Sequence, residues 1–210
     1  MTFPSHPPAT NPVAIILSAG RSSRLSQFKP LLSIRGEPAV RGIAKRLRTL
    51  CPLVLVVTGY RGDDVRNALS DLHDEHVQCI ENPDWKRGML SSLQAGVRAV
   101  SHDSSFLIHM VDQPHVPTSV HEALIHAWRE TAHSLYIPCY KDRRGHPVLC
   151  RPVVRTSIMS RSPDDTTRNA LAEFTTDACL VPVPTEAVIH TINTPGDLEY
   201  ITRVFLNNKG

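Results

Sequence analysis

Within residues 13–29 the sequence changes abruptly from apolar residues to small, hydroxyl and cationic ones. This change constrains the fold of the chain more than any other feature of its sequence. Residues 13–17 are V-A-I-I-L, five consecutive apolar residues that are typical of a strand buried on both faces. The small residues Ser18, Ala19 and Gly20 follow, and cationic and hydroxyl side chains continue to Lys29. A buried strand that ends in such a loop presents backbone N–H groups and positive charge to a phosphate. The alternative is an ordinary strand-to-helix turn whose cations are only solvated.

Beyond this loop, apolar strands alternate with amphipathic helices. The pattern predicts strands at 53–58, 77–80, 105–111 and 135–139, and helices at 39–50, 63–72, 91–100 and 118–131. This alternation is typical of an α/β fold of three layers with a mainly parallel central sheet. Such sheets bind ligands outside the carboxyl ends of their strands. We therefore expect the loop at 18–24 and Asp112, which each follow an apolar strand, to be neighbours in space.

The second half of the chain is less regular. It contains a basic turn at 141–145 and expected strands at 146–150, 179–183 and 188–192. Helices are expected at 152–159, 164–174 and 195–205, the last with Pro195 in its first turn and Thr194 as its cap. Because no linker separates these elements, we predict a single domain over residues 13–210. Residues 1–12 hold four prolines and are expected to be a mobile tail.

The composition excludes several classes of function. The 210 residues carry a formal net charge of +3, which is too small to indicate a nucleic-acid partner. No apolar run approaches the roughly 20 residues of a membrane-spanning helix, so we expect no membrane partner. The five cysteines are scattered without a C-x-x-C pair, which is typical of reduced thiols and favours a cytoplasmic location. The eleven histidines show no spacing typical of a metal site.

Asp112 is the strongest candidate metal ligand outside the first loop. It follows the strand expected at 105–111, and Pro114 two residues later restricts the turn. Mg²⁺ keeps most of its waters and takes one or two protein oxygens together with phosphate, so a single carboxylate is sufficient. The same position also suits an Asx-turn or a helix cap.

The first loop matches neither a Walker loop nor a G-x-G-x-x-G loop, but it resembles a nucleotidyltransferase signature, L-A-[AG]-G-x-S-x-R-M-G-x-x-K. This chain has L-S-A-G-R-S-S-R-L at 17–25, followed by Lys29. The resemblance implies a three-layer Rossmann-like nucleotidyltransferase fold whose loop wraps an NTP triphosphate. The loop residues implied are Leu17, Ser18, Ala19, Gly20, Arg21, Ser22, Ser23, Arg24 and Lys29. Leu25 and Ser26 replace the usual Met and Gly, and Ser26 requires a backbone conformation that does not demand glycine.

Four further segments resemble the molybdenum cofactor cytidylyltransferases of the MobA-like family. They are V-D-Q-P at 111–114, N-P-D-W-K-R-G-M-L-S-S-L at 82–93, R-G-H-P-V-L at 144–149 and I-N-T-P-G-D-L at 192–198. Val111 replaces a glycine that is usual in the first of these segments. Because the segments occur in the family's order, the resemblance covers residues 13–198.

This resemblance implies roles for individual residues. Beyond the first loop, the nucleotide-binding residues implied are Asn82, Gly88, Ser91 and Ser92, with Trp85 beside the base or ribose. The implied acceptor-binding residues are Arg144, Gly145 and His146, the metal ligands are Asp112 and Asn193, and the catalytic residues are Arg24, Lys29 and Asp112. From the residues alone, Trp85 could equally cover the sheet edge, Ser91 could be only a cap, and 143–146 could be a solvated turn. Thr191 stands where the family often has a further Asp.

The function implied is Mg²⁺-dependent transfer of CMP from CTP to a molybdopterin-type cofactor, with release of pyrophosphate. Ala19 favours CTP over GTP, since the guanylyl enzymes of this family have glycine there. The partners implied are these two substrates and a client molybdenum hydroxylase or its chaperone. The alternatives are another phosphate acceptor (a sugar or polyol phosphate), GTP as donor, or a non-catalytic chaperone that binds the cofactor. We find no flavin or nicotinamide site in the sequence.

Overall fold

A central sheet dominates the computed structural model of the chain, which describes residues 11–72 and 74–207. The strands are β1 (Val13–Leu17), β2 (Ser33–Ile34), β3 (Glu37–Pro38), β4 (Val54–Thr58), β5 (Val77–Glu81), β6 (Phe106–Met110), β7 (Leu135–Tyr140), β8 (Arg143–Arg144), β9 (Val148–Cys150) and β10 (Cys179–Pro182). Their order across the sheet is β10-β7-β9-β6-β1-β4-β5, and β8 pairs with β7. Strands β2 and β3 form a separate hairpin.

The inner strands run parallel, as the sequence predicts. Strand β1 pairs in parallel with β4 and β6, and β4 pairs in parallel with β5. Strand β9 runs antiparallel between β6 and β7, and β10 is again parallel to β7. The mainly parallel α/β sheet is therefore confirmed. Since Leu17 stands opposite Val57 and Met110 in the register, the loops after β1, β4 and β6 leave the sheet at one edge.

Helices cover both faces of the sheet. They are α1 (Ala39–Leu47), α2 (Gly62–Ala68), α3 (Met89–Arg98), α4 (Thr118–Glu130), α5 (Val154–Ser160), α6 (Thr167–Leu171) and α7 (Pro195–Ile201). Side chains of α1, α2 and α4 pack with Ala14 and Ile16 of β1, whereas those of α3, α5 and α6 pack with Ile15 and Leu17. Because both faces are covered, every residue of β1 is apolar and buried.

Several predicted boundaries differ from the structure. The strand expected at 188–192 is wrong, because Glu186–Ile189 forms a 3₁₀ helix. The Val188 carbonyl accepts from the His146 N–H at 2.9 Å and from the Gln113 side chain, and the His190 carbonyl accepts from the Gln113 side chain. The helix expected at 63–72 is shorter: α2 begins at Gly62, after Arg61 with its left-handed backbone, and ends at Ala68.

The helices at 91–100 and 195–205 also differ from expectation. Helix α3 begins two residues earlier than expected, at Met89, so Ser91 lies inside the helix and is not its cap. Helix α7 continues as a π-helical turn over Thr202–Leu206. Its predicted cap is confirmed, because the Thr194 side chain accepts from the Asp197 N–H and Asp197 accepts in return.

The amino-terminal segment is anchored where the structure describes it. Asn11 donates to the Leu50 carbonyl at 2.7 Å and accepts from Arg129, and Pro12 is buried, although both residues were assigned to a mobile tail. Residues 1–10 lie outside the described residues, and the single domain over 13–210 stays a prediction. Within the described part of the chain, no helix is both long enough and apolar enough to cross a membrane.

None of the five cysteines forms a disulfide, and the two most buried thiols are unreactive. Burial raises the pKa of the Cys51 thiol to about 12 and also raises the pKa of Cys150. Because the thiolate is the reactive form, these two residues pack as small apolar side chains.

Two buried histidines stack between β6 and α4. The rings of His109 and His121 lie 5.1 Å apart at an interplanar angle of 11°, and each is 1 % exposed or less. Burial lowers the pKa of His121 to about 4 and lowers the pKa of His109 well below its usual value. Both rings are therefore neutral in the folded protein at pH 7.

We expect this pair to make the fold sensitive to acid. The unfolded chain binds protons at these histidines near pH 6.5, whereas folded His121 binds its proton only near pH 4, so stability falls as the pH decreases between these values. The slope contributed by one such histidine is at most about 1.4 kcal/mol per pH unit. When the free energy of unfolding in urea is measured between pH 7.5 and 4.5, it should fall less steeply with decreasing pH in His121→Gln than in the parent. The exposed His102→Gln is the control, and parallel slopes for all three proteins would contradict this account.

Candidate active site

The loop after β1 is attached to its two neighbouring strands. The Ser18 N–H donates to the Val57 carbonyl at 3.0 Å, and the Val111 N–H donates to the Leu17 carbonyl at 3.3 Å. The Tyr60 N–H donates to the Ala19 carbonyl at 3.0 Å. These bonds fix the start of the loop at the edge of the sheet where parallel α/β sheets bind their ligands.

A tight turn at Ser22 brings Lys29 back to the start of the loop. Ser22 has φ +58°, and its hydroxyl accepts from the Lys29 N–H at 3.0 Å. The Leu25 N–H donates to the Ser22 carbonyl, and the Leu25 side chain is buried. Ser26 is absent from the residues with positive φ, so its replacement of a usual glycine requires no unusual backbone, as expected.

Lys29 connects two distant segments of the chain. Its Nζ lies 3.1 Å from Asp112 Oδ2 and 2.8 Å from Asn193 Oδ1. Arg24 Nη2 also donates to Asn193 Oδ1, at 3.2 Å. The Lys29 and Asp112 side chains are only 11 % and 17 % exposed, so their attraction is poorly screened by solvent. The expected proximity of the first loop and Asp112 is confirmed.

The neighbourhood of Asn193 fixes the direction of its amide. Asn193 Nδ2 donates to the Thr191 hydroxyl at 2.8 Å, which leaves Oδ1 for Lys29 and Arg24. The Asn193 N–H donates to Asp197 in the first turn of α7. Thr191, which stands where the family often has an Asp, therefore orients the neighbouring amide.

The residues present fit a Mg²⁺ ion. Asp112 Oδ1 is buried and has no hydrogen-bond partner among the described residues, while Oδ2 is held by Lys29. The described residues contain no group of three or more His, Cys, Asp and Glu side chains suited to a metal. A site built from one carboxylate oxygen, one amide oxygen and waters is suited to Mg²⁺, because this ion needs few protein ligands.

A cavity of about 310 Å³ opens beside this cluster, and we call it the loop cavity. Its lining includes nine of the predicted site residues: Leu17, Ala19, Gly20, Arg21, Ser22, Lys29, Gly88, Ser92 and Asp112. An added Cβ at Gly20 would meet no protein atom within 4 Å, so the backbone there is open to a ligand. Ser18, Ser23, Arg24, Asn82 and Ser91 do not line the loop cavity.

Asn82 and Ser91 form a buried network behind the cavity. Asn82 Nδ2 donates to the hydroxyls of Ser91 and Ser92 at 3.0 and 3.1 Å, and Asn82 Oδ1 accepts from the Asp84 N–H. The Ser91 hydroxyl lies 2.8 Å from the Gly88 carbonyl. Because these polar atoms are used inside the protein, Asn82 and Ser91 hold Ser92 and Gly88 at the cavity wall.

Two aromatic residues that the sequence did not indicate, Phe28 and Tyr60, form a group with Trp85 of the loop cavity. The Tyr60 ring lies 5.8 Å from Phe28 and 5.6 Å from Trp85, and the Arg21 guanidinium lies 5.4 Å from the Tyr60 ring centre. Trp85 lines the cavity and sits against Gly59, where no side chain fits. The G-Y pair directly after β4 is the sequence signal that could have identified this wall.

A second cavity, of about 840 Å³, adjoins the first and is called here the acceptor-side cavity. The two cavities share Leu17, Gly88, Met89 and Met110. The predicted residues Arg144, Gly145 and His146 line the second one together. Gly145 packs on the Val188 carbonyl, where a Cβ would come within 2.3 Å, so only glycine fits. Burial lowers the pKa of His146, against an opposing effect of the Asp112 charge, and its Nδ1 has no partner among the described residues.

Sequence reasoning missed one wall of the acceptor-side cavity. Residues 164–169 (D-D-T-T-R-N) and Arg87 line it, and Arg87 closes the rim by a two-point contact with Asp164 at 2.6 and 3.1 Å. The expected helix at 164–174 obscured this role, because α6 begins only at Thr167, after the Thr166 cap. A run of acidic, hydroxyl, cationic and amide side chains across the start of a short helix was the available signal.

Comparisons with known proteins agree with this architecture. The chain matches the model of the MobA-like NTP transferase domain over residues 14–179. It is 28% identical to the molybdenum cofactor cytidylyltransferase of Escherichia coli over 87% of this chain and 91% of that protein. It is also 30% identical to the nicotine blue oxidoreductase of Paenarthrobacter nicotinovorans, over 72% of this chain and 76% of that protein.

A solved structure has a similar fold. The nucleotidyl transferase of Methanothermobacter thermautotroptrophicus superposes with a TM-score of 0.77 at 22% identity, covering 92% of this chain and 97% of that one. The three-layer nucleotidyltransferase fold expected from the sequence is confirmed.

The contact between Gly59 and Trp85 predicts a local stability effect. An added Cβ at Gly59 would lie 2.6 Å from the Trp85 Cβ, so Gly59→Ala should destabilise the fold by about 1–3 kcal/mol in urea unfolding. Gly20→Ala is the matched control, because its Cβ would meet open space, and it should stay within about 0.5 kcal/mol of the parent. Equal stability of the two variants would contradict the assigned packing of Trp85.

Proposed function

Because the chain belongs to the MobA-like NTP transferase family, we propose that it is a nucleotidyltransferase that transfers CMP from CTP to a molybdopterin-type cofactor with Mg²⁺. The observation that carries this proposal is the cluster at the rim of the loop cavity, where Lys29 contacts both Asp112 and Asn193. A client molybdenum hydroxylase, or its chaperone, and a cytoplasmic location belong to the same proposal.

The first loop binds the triphosphate. Arg21, Ser22 and Lys29 line the loop cavity, and the open backbone at Gly20 allows phosphate oxygens to approach its N–H group. Arg24 lies outside the cavity lining but reaches the same Asn193 oxygen as Lys29. Its guanidinium therefore adds positive charge where the triphosphate and the acceptor meet.

Asp112 and Asn193 hold the magnesium ion. The unpartnered Oδ1 of Asp112 is the primary oxygen, and the Asn193 amide oxygen is the second. When bound, the ion neutralises phosphate charge that develops at the reacting phosphorus and at the departing pyrophosphate. Lys29 contacts the other carboxylate oxygen of Asp112, Oδ2, and the Asn193 amide oxygen, so it fixes the spacing of the two side chains before any ligand arrives.

The acceptor binds in the adjoining cavity and presents its terminal phosphate to the nucleotide. A phosphate oxygen of the acceptor forms a bond to the α-phosphorus of CTP, and the bond to pyrophosphate breaks in line. The attacking oxygen is already anionic at neutral pH, so no general base is needed. Arg144 and the Arg168 of the missed wall supply cations to the acceptor, and His146 faces the same cavity as a neutral ring.

The nucleotide is assigned as CTP on two grounds. Ala19 lines the loop cavity and stands at the position where the family's guanylyl enzymes have glycine. The Escherichia coli relative is also a cytidylyltransferase by name.

Replacing Asp112 tests the catalytic cluster. Asp112→Asn keeps the shape of the side chain and removes its charge, so Mg²⁺-dependent pyrophosphate release from CTP and a molybdopterin-type acceptor should fall about 100-fold or more. Thermal unfolding should show that the variant remains folded. The exposed Asp103→Asn is the matched control and should keep full activity. Full activity of Asp112→Asn would remove this carboxylate from the mechanism.

Nucleotide selectivity tests the substrate. Thermal unfolding with CTP, GTP, ATP or UTP, each with and without Mg²⁺, should show selective stabilisation by CTP with the metal, about 2.7 kcal/mol at one hundred times Kd. Gly20→Ala should keep the stability of the free protein and lose most of this stabilisation, because the new methyl group occupies the phosphate approach. Equal stabilisation by all four nucleotides would reject CTP as the assigned donor.

A further inference from the structure

A third cavity, of about 410 Å³, lies outside the proposed active site. It is formed by the β2–β3 hairpin, α1, the start of α4 and the 3₁₀ and π-helical segments near the C-terminal end, and we call it the α4 cavity. It shares no lining residue with the loop cavity or the acceptor-side cavity. A ligand of this cavity would therefore contact none of the residues that line the two cavities of the proposed active site.

The charge in the α4 cavity is predominantly positive. Arg35 and Arg46 line it, and neither forms an ion pair with a carboxylate among the described residues. Each arginine donates only to a backbone carbonyl, Arg46 to that of Pro114 at 2.8 Å. Glu37 is the one acidic residue in the lining. Its negative charge is paired with Lys45, at 3.1 Å, and with Arg41, two cations that do not line the cavity.

Arg46 is the more deeply placed of the two arginines. Its Nε is buried without a hydrogen-bond partner among the described residues. Burial lowers the pKa of Arg46, which reflects the unfavourable removal of its charge from water. The charge of Glu37 offsets part of this cost, and an anion in the cavity would offset more of it.

Helix α4 opens into the cavity without a cap. It spans 13 residues, its N-cap position is Pro117, and no side chain caps it. Its first turn contains no acidic residue. Thr118, the first helical residue, lines the cavity, so the positive end of the helix dipole and free N–H groups lie at this wall.

A buried histidine contributes an unpaired ring nitrogen to the cavity. His115 lines the cavity, is 7 % exposed, and stacks on Phe205 with 5.2 Å between ring centres. Its Nε2 lies 3.1 Å from the Ala187 carbonyl, so this nitrogen carries the proton and donates. Its Nδ1 has no partner among the described residues, and it is free to accept from a protonated ligand oxygen.

From this combination we propose that the α4 cavity is a second anion site, which binds the phosphate or carboxylate group of a small ligand. The guanidinium groups of Arg35 and Arg46 and the N–H groups of α4 hold the oxyanion, and the ring pair His115–Phe205 packs against the rest of the ligand. Arg46 holds the Pro114 carbonyl, two residues after Asp112, so the site lies on the same loop as the proposed metal ligand.

Calorimetric titration of the full chain with inorganic phosphate, and separately with citrate, tests the proposal. The parent protein should bind one anion in the α4 cavity, and this binding should weaken at least about tenfold in Arg46→Met, which keeps the apolar stem of the side chain. Arg35→Asn is a second variant. Position 35 is exposed and has a left-handed backbone (φ +53°), which asparagine tolerates, and this variant should also weaken anion binding. A response to phosphate alone or to citrate alone identifies the group that is recognised.

The proposed active site also attracts phosphate, so the two sites must be separated. Lys29→Gln should weaken phosphate binding at the loop cavity and leave the α4 site intact, which makes failure of this proposal distinguishable from failure of the proposed function. Arg48→Gln is the matched control for Arg46→Met. Arg48 follows the last residue of α1 and pairs with Asp74 outside the cavity, so this variant should bind the anion like the parent. The proposal would be overturned if anion binding were unchanged in both Arg46→Met and Arg35→Asn. It would also be overturned if Arg48→Gln lost as much anion affinity as these two variants.

Discussion

The contact of the Lys29 ammonium with Asp112 and Asn193 is the interaction on which the site depends. It joins segments separated by 83 and 164 residues in the chain, and both lysine and aspartate are largely removed from solvent. A charge placed at this depth requires a partner, so the three segments cannot take their positions independently. Each segment also has its own support. The Ser22 turn fixes Lys29, the hydrogen bond from the Ile192 N–H to the Asp112 carbonyl fixes Asp112, and the cap of α7 fixes the segment of Asn193.

The sheet supplies the geometry for this contact, and the sequence predicts that part well. Strands β1, β4 and β6 are continuous apolar runs because helices cover both faces, and such runs are readily recognised. Their parallel order brings the residues that follow them to one edge. For that reason the proximity of Lys29 and Asp112 could be predicted from two separate strand ends, without knowledge of any side-chain contact.

The parts that could not be predicted depend on contacts between distant segments. Asn82 and Ser91 match a motif, but only the fold reveals that their polar atoms bond to each other and to the local backbone. The segment at 188–192 has a strand-like sequence, yet it forms only isolated hydrogen bonds among the described residues: the Val188 carbonyl accepts from the His146 N–H and the His190 carbonyl from the Gln113 side chain. The wall at 164–169 was concealed because a helix pattern describes local backbone and not the cavity beside it.

The neutral amide at position 193 sets the charge balance of the cluster. Asp112 compensates one of the two cations, Lys29 and Arg24, and the Asn193 oxygen orients both without neutralising either. A carboxylate at that position would add a negative charge beside both cations and lower the positive potential there. Thr191 contributes an oriented hydroxyl where a third carboxylate would otherwise stand. The amide therefore adds no further negative charge beside Lys29, which already interacts with the charges of Asp112 and Asp197, while Asp112 Oδ1 has no hydrogen-bond partner among the described residues.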